Sequence, residues 1–555
     1  MREILPNGKD GGHMLAAKGT GVSSGIAEGT LFYYKRASKN TDKKAGTPDE
    51  ELARWKEASA SAAVELDALA EKTRATLGEE AATLFETHRM MLDDLDYTDR
   101  ITELIQSDGY SAEAAVDAAG KEFSEMFAMM DDDYMKARSV DVLDISNRVV
   151  NILSGSGEAN DFGGKPVIIA ADDLTPSETV QLDKNLILGF ILSGGNANSH
   201  TAILARTLGI HAVINADLEF RPEYENREVI MDGSVGYIVI DPDETTKDYL
   251  GKKQRHEKAV REMLEKLKGQ PDVTTDCKKI KVYANITNPS DVDAVITNDA
   301  RGIGLFRSEF LYLGSDDFPA EKVQFEAYKT VVQTMNGKRV IIRTMDIGAD
   351  KKIGYFGLAD EANPALGMRA LRICLTRPEI FKTQLRALYR ASAYGKLAIM
   401  FPMVSSLWEV QETKRMCSAV MAELKKERIP YDENLELGVM IETPAAVMIA
   451  PELAREVSFF SIGTNDLTQY TIALDRQSIC GLEKFYDAKH PAVLRMIKMT
   501  VDAAHEAGIW AGICGEPAAD SSLTETFIKM GVDELSVSPR AVLPIRNAVR
   551  NSSSV

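Results

Sequence analysis

From residue 278 onward the chain alternates strand-type runs with helical runs. The strand-type runs are Ile280–Ile286, Gly302–Arg307, Arg339–Met345, Leu397–Val404, Leu437–Glu442, Phe459–Gly463, Ile509–Cys514 and Glu534–Val537. Parallel strands covered on both faces read as continuous apolar runs of this kind. Eight alternations of this length match a (β/α)8 barrel, in which the active site forms at the C-terminal ends of the strands.

The residues that follow each run therefore carry the chemistry. The second run ends in Arg307-Ser308-Glu309, the third in Arg343-Thr344-Met345-Asp346, the fifth in Glu442-Thr443-Pro444. The sixth ends in Gly463-Thr464-Asn465-Asp466, with Arg476 in the loop beyond, and the seventh in Cys514-Gly515-Glu516. Singly, each has an ordinary structural explanation. Arginines pair on surfaces, Glu442 and Asp466 can cap helices, and Cys514 can be a small buried hydrophobe. Together they put arginines, carboxylates and an amide on one face. Arg binds phosphate or carboxylate through a planar fork. Two carboxylates plus substrate oxygens suit Mg²⁺, and a thiol of suitable pKa can give or take a proton.

The rest of the chain has a different texture. Residues 48 to 154 are rich in Ala, Glu, Asp, Met and Leu, and apolar residues recur at helical spacing, as in Leu84, Phe85, His88, Met91 and Leu92. This predicts a bundle of about four helices. Residues 165 to 242 turn to short β-rich runs such as Pro166–Ala170 and Glu228–Met231, and Lys18–Tyr34 ends in a strand that joins them. The expected organisation is a discontinuous α/β unit (1–34 and 155–245), an inserted helical unit (35–154), a charged helical linker (246–272) and the barrel (273–555). Residues up to His13 read as unstructured, which makes Met14 a candidate start.

In the α/β unit, Gly194-Gly195-Asn196-Ala197-Asn198-Ser199-His200 leads into an amphipathic run, with Asn198 or Ser199 as N-cap. His200 then sits at a helix N-terminus, where free N–H groups and the dipole favour an anion. A neutral imidazole there suits nucleophilic attack on a phosphoryl group, and simple packing or capping is the competing explanation. Asp173–Glu178 offers hydroxyls that could orient the ring.

Composition narrows the partners. Lys plus Arg total 65 against 84 Asp plus Glu, a formal charge of −19. That argues against nucleic acid and suits a basic protein partner. Five widely spaced cysteines form no CxxC pair, so neither a disulfide frame nor a zinc site is indicated and a reducing cytoplasm is expected. The polar N-terminus and the lack of a long apolar stretch lead us to expect neither a signal peptide nor a transmembrane helix.

Gly195…Ser199-His200-Thr201-Ala202-Ile203-Leu204-Ala205-Arg206 resembles the phosphohistidine signature of phosphoenolpyruvate-utilising enzymes. Phe460–Tyr470 resembles their second signature, and Arg343–Gly348 and Asp173–Glu178 narrow the likeness to the phosphoenolpyruvate–protein phosphotransferases, Enzyme I of the bacterial sugar phosphotransferase system. The likeness runs from about Lys18 to the C-terminus. It implies that His200, on a swivelling unit, accepts the phosphoryl group, that Arg307 and Arg343 hold the phosphate, and that Arg476 and Asn465 anchor the substrate. It further implies that Glu442 and Asp466 ligate Mg²⁺ and that Cys514 protonates the enolate to pyruvate. The helical unit would dock the phosphocarrier HPr, and acidic stretches such as Asp93-Asp94 and Asp131–Asp133 agree with a basic partner. A cytoplasmic homodimer paired through the barrel is expected.

One departure stands out. The family usually has Gly-Gly-(Arg/Lys)-Thr-Ser-His; here Asn196-Ala197-Asn198 replaces the second Gly, the basic residue and Thr. A dikinase or synthase of the same superfamily would need a large ATP-binding domain before the His200 unit, where this chain has helices and no Gly-rich nucleotide loop. A regulatory protein that binds phosphoenolpyruvate without turnover is the reading that the departure leaves open.

Overall fold

The computed structural model describes residues 14–555 apart from 24, 35–45, 78, 131–132, 156–161, 163, 184, 196–201, 203–204, 206–209, 314, 316, 349–350, 352, 360 and 477–481. The segment before Met14 lies outside these residues. Two compact units divide the chain: the first ends at Ala259 and the second is Val260–Val555.

In the first unit, short runs of β-branched residues build one eight-stranded sheet. Its strands are β1 (Leu15–Lys18), β2 (Thr20–Ser23), β3 (Ile26–Tyr33), β4 (Val167–Ala171), β5 (Ile187–Leu192), β6 (His211–Ile214), β7 (Glu228–Asp232) and β8 (Tyr237–Ile240), in the order β1-β8-β7-β3-β4-β5-β6-β2. The opening strands thus belong to the same sheet as those after residue 165. β3 lies parallel to β4, with Thr30 opposite Val167. Every residue of β4 is buried, because apolar clusters cover both faces of the sheet.

Between β3 and β4 lie five helices rather than about four: α1 (Pro48–Leu77), α2 (Glu79–Leu92), α3 (Leu95–Gln106), α4 (Ala112–Ala128) and α5 (Asp133–Ser154). The extra break falls at Asp94, whose carboxylate accepts from the N–H groups of Asp96 and Tyr97 and starts a new helix. Asp93 pairs with Arg89. His88, on the apolar stripe of α2, is buried between Asp141 at 3.2 Å and Asp144 at 3.7 Å. The helix α6 (Pro176–Gln181) follows β4, and α7 (Glu244–Glu265) follows β8.

The second unit is a closed barrel of eight parallel strands. They are β9 (Lys281–Ile286), β10 (Gly302–Arg307), β11 (Arg339–Arg343), β12 (Leu397–Phe401), β13 (Glu436–Ile441), β14 (Phe459–Ile462), β15 (Trp510–Ile513) and β16 (Glu534–Val537), with β16 closing onto β9. The fold is therefore α/β throughout apart from the helical insertion. Leu305, Ile341, Ala398, Met400, Met440, Phe459 and Cys514 fill the barrel interior. A larger apolar cluster lies between strands and outer helices. Among the described residues no helix is long and apolar enough to cross a membrane.

Candidate active site

The barrel strands stop where charged residues begin, so the side chains at their ends converge. Arg307 is the last residue of β10 and Arg343 the last of β11. Glu442 and Cys514 each follow their strand by one residue. Asn465 and Asp466 lie in the first turn of the helix Thr464–Ile472, which follows β14. These six and Arg476 line one cavity of about 570 Å³.

An ion-pair lattice forms its floor. Arg343, nearly buried, donates to Glu309 Oε1 at 2.9 Å and pairs with Asp346 at 3.0 Å. Arg369 donates to the other oxygen of Asp346 at 2.8 Å, and its Nη1 lies 3.1 Å from the Tyr470 hydroxyl and 3.7 Å from Asp466. Glu309 Oε1 also accepts from the Asp346 backbone N–H at 2.8 Å. Burial alone would lower the Arg343 pKa, but the carboxylates of Glu309 and Asp346, then those of Glu442 and Asp466, push it up. Burial would likewise raise Asp346; the Arg343 and Arg369 charges hold it low.

Arg307 forms no ion pair among the described residues, and its pKa is lowered first by desolvation and then by the Arg343 charge. It is the unengaged cation of the cavity. Arg476 approaches Asp466 at 3.7 Å, and its backbone N–H donates to Gln469 Oε1 at 3.1 Å. Asn465 is locked by a reciprocal pair: its amide donates to Glu516 at 3.2 Å, and its carbonyl accepts from the Glu516 N–H at 3.0 Å.

Glu442 is fully buried. One oxygen accepts from the Met403 N–H at 2.6 Å, and the other has no partner among the described residues. Burial, then the Asp466 and Asp346 carboxylates, raise its pKa to about 8. Gly463 makes the room: a Cβ there would lie 2.7 Å from Glu442 Oε2. Glu442 does not cap the next helix, since the Thr443 hydroxyl accepts from Ala446 N–H at 3.1 Å instead. Cys514 is 4% exposed, its thiol is directed at the Ile462 carbonyl at 3.7 Å, and burial pushes its pKa up to about 12.

The donor set can be tested for a divalent cation. A buried carboxylate oxygen on Glu442 without a partner, beside Asp466, fits a hard ion. Among the described residues no group of three or more His, Cys, Asp or Glu side chains is arranged to hold a metal. Such an ion would therefore draw its remaining oxygens from substrate and water, as Mg²⁺ commonly does.

His200, the cap at Asn198 or Ser199 and the Asn196–Asn198 departure lie outside the described residues. In the Asp173–Glu178 segment the Thr175 hydroxyl is engaged in a capping box with Glu178 at the start of α6. Glu309, Asp346 and Arg369 are charged members of the cavity to which the strand-end reading gave no role. The first two were foreshadowed: arginines gathered at strand ends require carboxylates beside them, and both acids stand within three residues of one. Arg369 has no such signal.

Three family descriptions match the chain: PEP-utilising enzyme, N-terminal, over residues 18–138; mobile domain, over 163–236; and PEP-binding domain, over 261–554. The phosphoenolpyruvate-protein phosphotransferase of Staphylococcus epidermidis is 39% identical over 540 residues, covering 97% of this chain and 94% of the relative. That of Bacillus subtilis is 40% identical, with 97% and 95% covered. A solution NMR structure of Enzyme I is 30% identical with a TM-score of 0.37, covering 44% of this chain and 99% of that one. The cavity's chemistry, the family descriptions and the two curated relatives lead to one assignment: the chain belongs to the phosphoenolpyruvate–protein phosphotransferases of the PEP-utilising enzyme family.

Proposed function

We propose that the chain transfers the phosphoryl group of phosphoenolpyruvate to its own His200 and then to a histidine of the phosphocarrier HPr, releasing pyruvate as the first step of sugar uptake. The observation that carries this reading is the convergence of Arg307, Arg343, Glu442, Asn465, Asp466, Arg476 and Cys514 on one cavity. A small trianion needs several fixed cations and little else.

Arg307 is the guanidinium available to meet the phosphate first, because Arg343 is already held by Glu309 and Asp346. Arg343, fixed in that lattice, offers a preorganised positive charge behind it. Asn465 and Arg476 anchor the substrate from the β14 side. Glu442 and Asp466 would hold Mg²⁺, which when bound supplies charge neutralisation to substrate oxygens. Loss of the phosphoryl group leaves an enolate, and the Cys514 thiol, which keeps its proton well above neutral pH, gives that proton to the enolate carbon. A cytoplasmic homodimer paired through the barrel belongs to the same reading.

Intact-mass measurement after incubation with phosphoenolpyruvate and Mg²⁺ tests it. One acid-labile phosphoryl group, absent from His200→Ala and discharged by HPr, is expected. Substrate binding without an adduct would instead favour the regulatory reading and point to Asn196–Asn198.

A further inference from the structure

A fully buried carboxyl group sits inside the barrel. Glu534 opens β16 and is 0% exposed, and among the described residues the Ser536 hydroxyl is a neighbour that eases the burial of its carboxyl. Burying an uncompensated carboxylate is costly, yet the surroundings are cleared to hold this group. A Cβ on Gly512 of β15 would come within 2.0 Å of Glu534 Oε2, and one on Gly304 of β10 within 2.5 Å of Oε1.

The same hollow reaches Ser536 and, through Asn285, the backbone of Cys514. A Cβ on Gly304 would also lie 2.3 Å from Ser536 Oγ, so that hydroxyl and the carboxyl border one space. Ser536 donates to Asn285 Oδ1, and Asn285 Nδ2 donates to the carbonyls of both Ser536 and Cys514 at 3.1 Å. Gly512 lies opposite Glu534 in the strand register. Two residues on, the repeat of a strand, Cys514 stands level with Ser536. Glu534 is thus one layer beneath the Cys514 thiol, and its charge acts on that thiol.

We infer that Glu534 is the proton store that restores the Cys514 thiol after each turnover, acting across the hollow at Ser536. This rests on the proposed role of Cys514. First the S–H bond breaks and a C–H bond forms at the enolate carbon, the S–H electron pair staying on sulfur. Then the Glu534 O–H bond breaks and the S–H bond re-forms. The carboxylate recovers its proton from water at the N-terminal end of the barrel, where half-buried Lys281 lies over the Trp510 ring. The groups facing Glu534 are Lys281 and Tyr283 on β9, Arg339 on β11, Ser536 on its own strand, Cys514 just past β15, and neighbouring Asp533. Burial, against the pull of Lys281, raises the carboxyl to about 8. It is therefore largely protonated at neutral pH, and transfer to the far more basic thiolate runs downhill. Glu534 acts through Cys514 and is a positioning residue, not one that touches substrate.

The test compares Glu534→Gln with the unaltered protein and with Cys514→Ala, using phosphoenolpyruvate, Mg²⁺ and HPr. Glu534→Gln should lower steady-state kcat at least about tenfold and leave KM near its original value, as loss of a proton-transfer partner does. The first pyruvate released in a single turnover should appear at the original rate, and the fall in kcat above about pH 8 should disappear. Glu534→Asp should recover part of the loss. Original kcat and pH profile in Glu534→Gln, with Cys514→Ala impaired, would overturn the inference and leave the thiol's role standing. Full turnover by Cys514→Ala would overturn both. Should the Gln variant not fold, Ser536→Ala, which keeps the carboxyl and removes the bordering hydroxyl, must show the same split between first and later turnovers.

Discussion

Glu442 accepts a 2.6 Å hydrogen bond from the backbone N–H of Met403, and Met403 holds that N–H in place with a left-handed φ of 56°. Its neighbours therefore fix one carboxylate oxygen and leave the other free to face the cavity. Glu442→Gln keeps the bond to Met403 and gives up the charge. We expect Mg²⁺ to bind about ten- to a hundred-fold more weakly in the presence of phosphoenolpyruvate, measured by isothermal titration. Unchanged affinity would remove Glu442 from the cation site.

Cys514→Ala tests the proton donor. The thiol packs among apolar barrel side chains and contributes little to the charge lattice, so KM for phosphoenolpyruvate should change little. Turnover should fall by about 10²- to 10⁴-fold, the usual yield of a positioned acid. Equal losses in kcat and affinity would mean that the thiol only shapes the cavity.

Asp346 joins two buried guanidinium groups, Arg343 and Arg369. Asp346→Asn leaves both with one carboxylate fewer. Removing one partner of a buried ion pair costs about 3–5 kcal/mol, to be read from urea unfolding at neutral pH. The Asp346 pKa is held below its ordinary value, so this stabilisation is present above the normal carboxylate range and is lost as pH falls through the depressed value. The variant and the original protein should therefore converge in acid. A constant difference down to low pH would show that the ion pair is not the source.

Glu534 has the opposite sign. Its folded pKa is raised from 4.5 to about 8. Between those values the folded state holds a proton that the unfolded chain has lost, so stability falls as pH rises across that window. We expect a loss of a few kcal/mol between pH 5 and pH 8 from this group, of the order that linkage gives for a shift of several units. Glu534→Gln should flatten the slope; an unchanged slope would place the titration elsewhere.

The barrel was legible in the sequence because its strands are buried on both faces, as the uninterrupted Leu397–Phe401 shows. Strand ends were overrun where loop residues are also buried: Thr344 and Met345 extend the apparent run past Arg343, although the strand stops there. The break between α2 and α3 was hidden because Met91, Leu92 and Leu95 keep the apolar period going across Asp94. Strand-end arginines and carboxylates were readable from their positions alone. Arg369 was not, because it reaches Asp346 from the connection between β11 and β12, folded back by a bridge to Gly348. Glu534 looks in sequence like the polar first residue of a strand; the two glycines facing it reveal the hollow.

The sheet of the first unit carries a consequence for synthesis. β1 pairs with β8, β2 with β6, and β3 with β4 and β7, so none of the first three strands has a partner encoded before Val167. During translation at about 5–20 residues per second they wait on the order of ten seconds for any neighbour. The five intervening helices have their own apolar core and can complete it in that interval. The emerging order is helices first and sheet second: β3 can pair once β4 emerges, while β2 waits for β6 and β1 for β8.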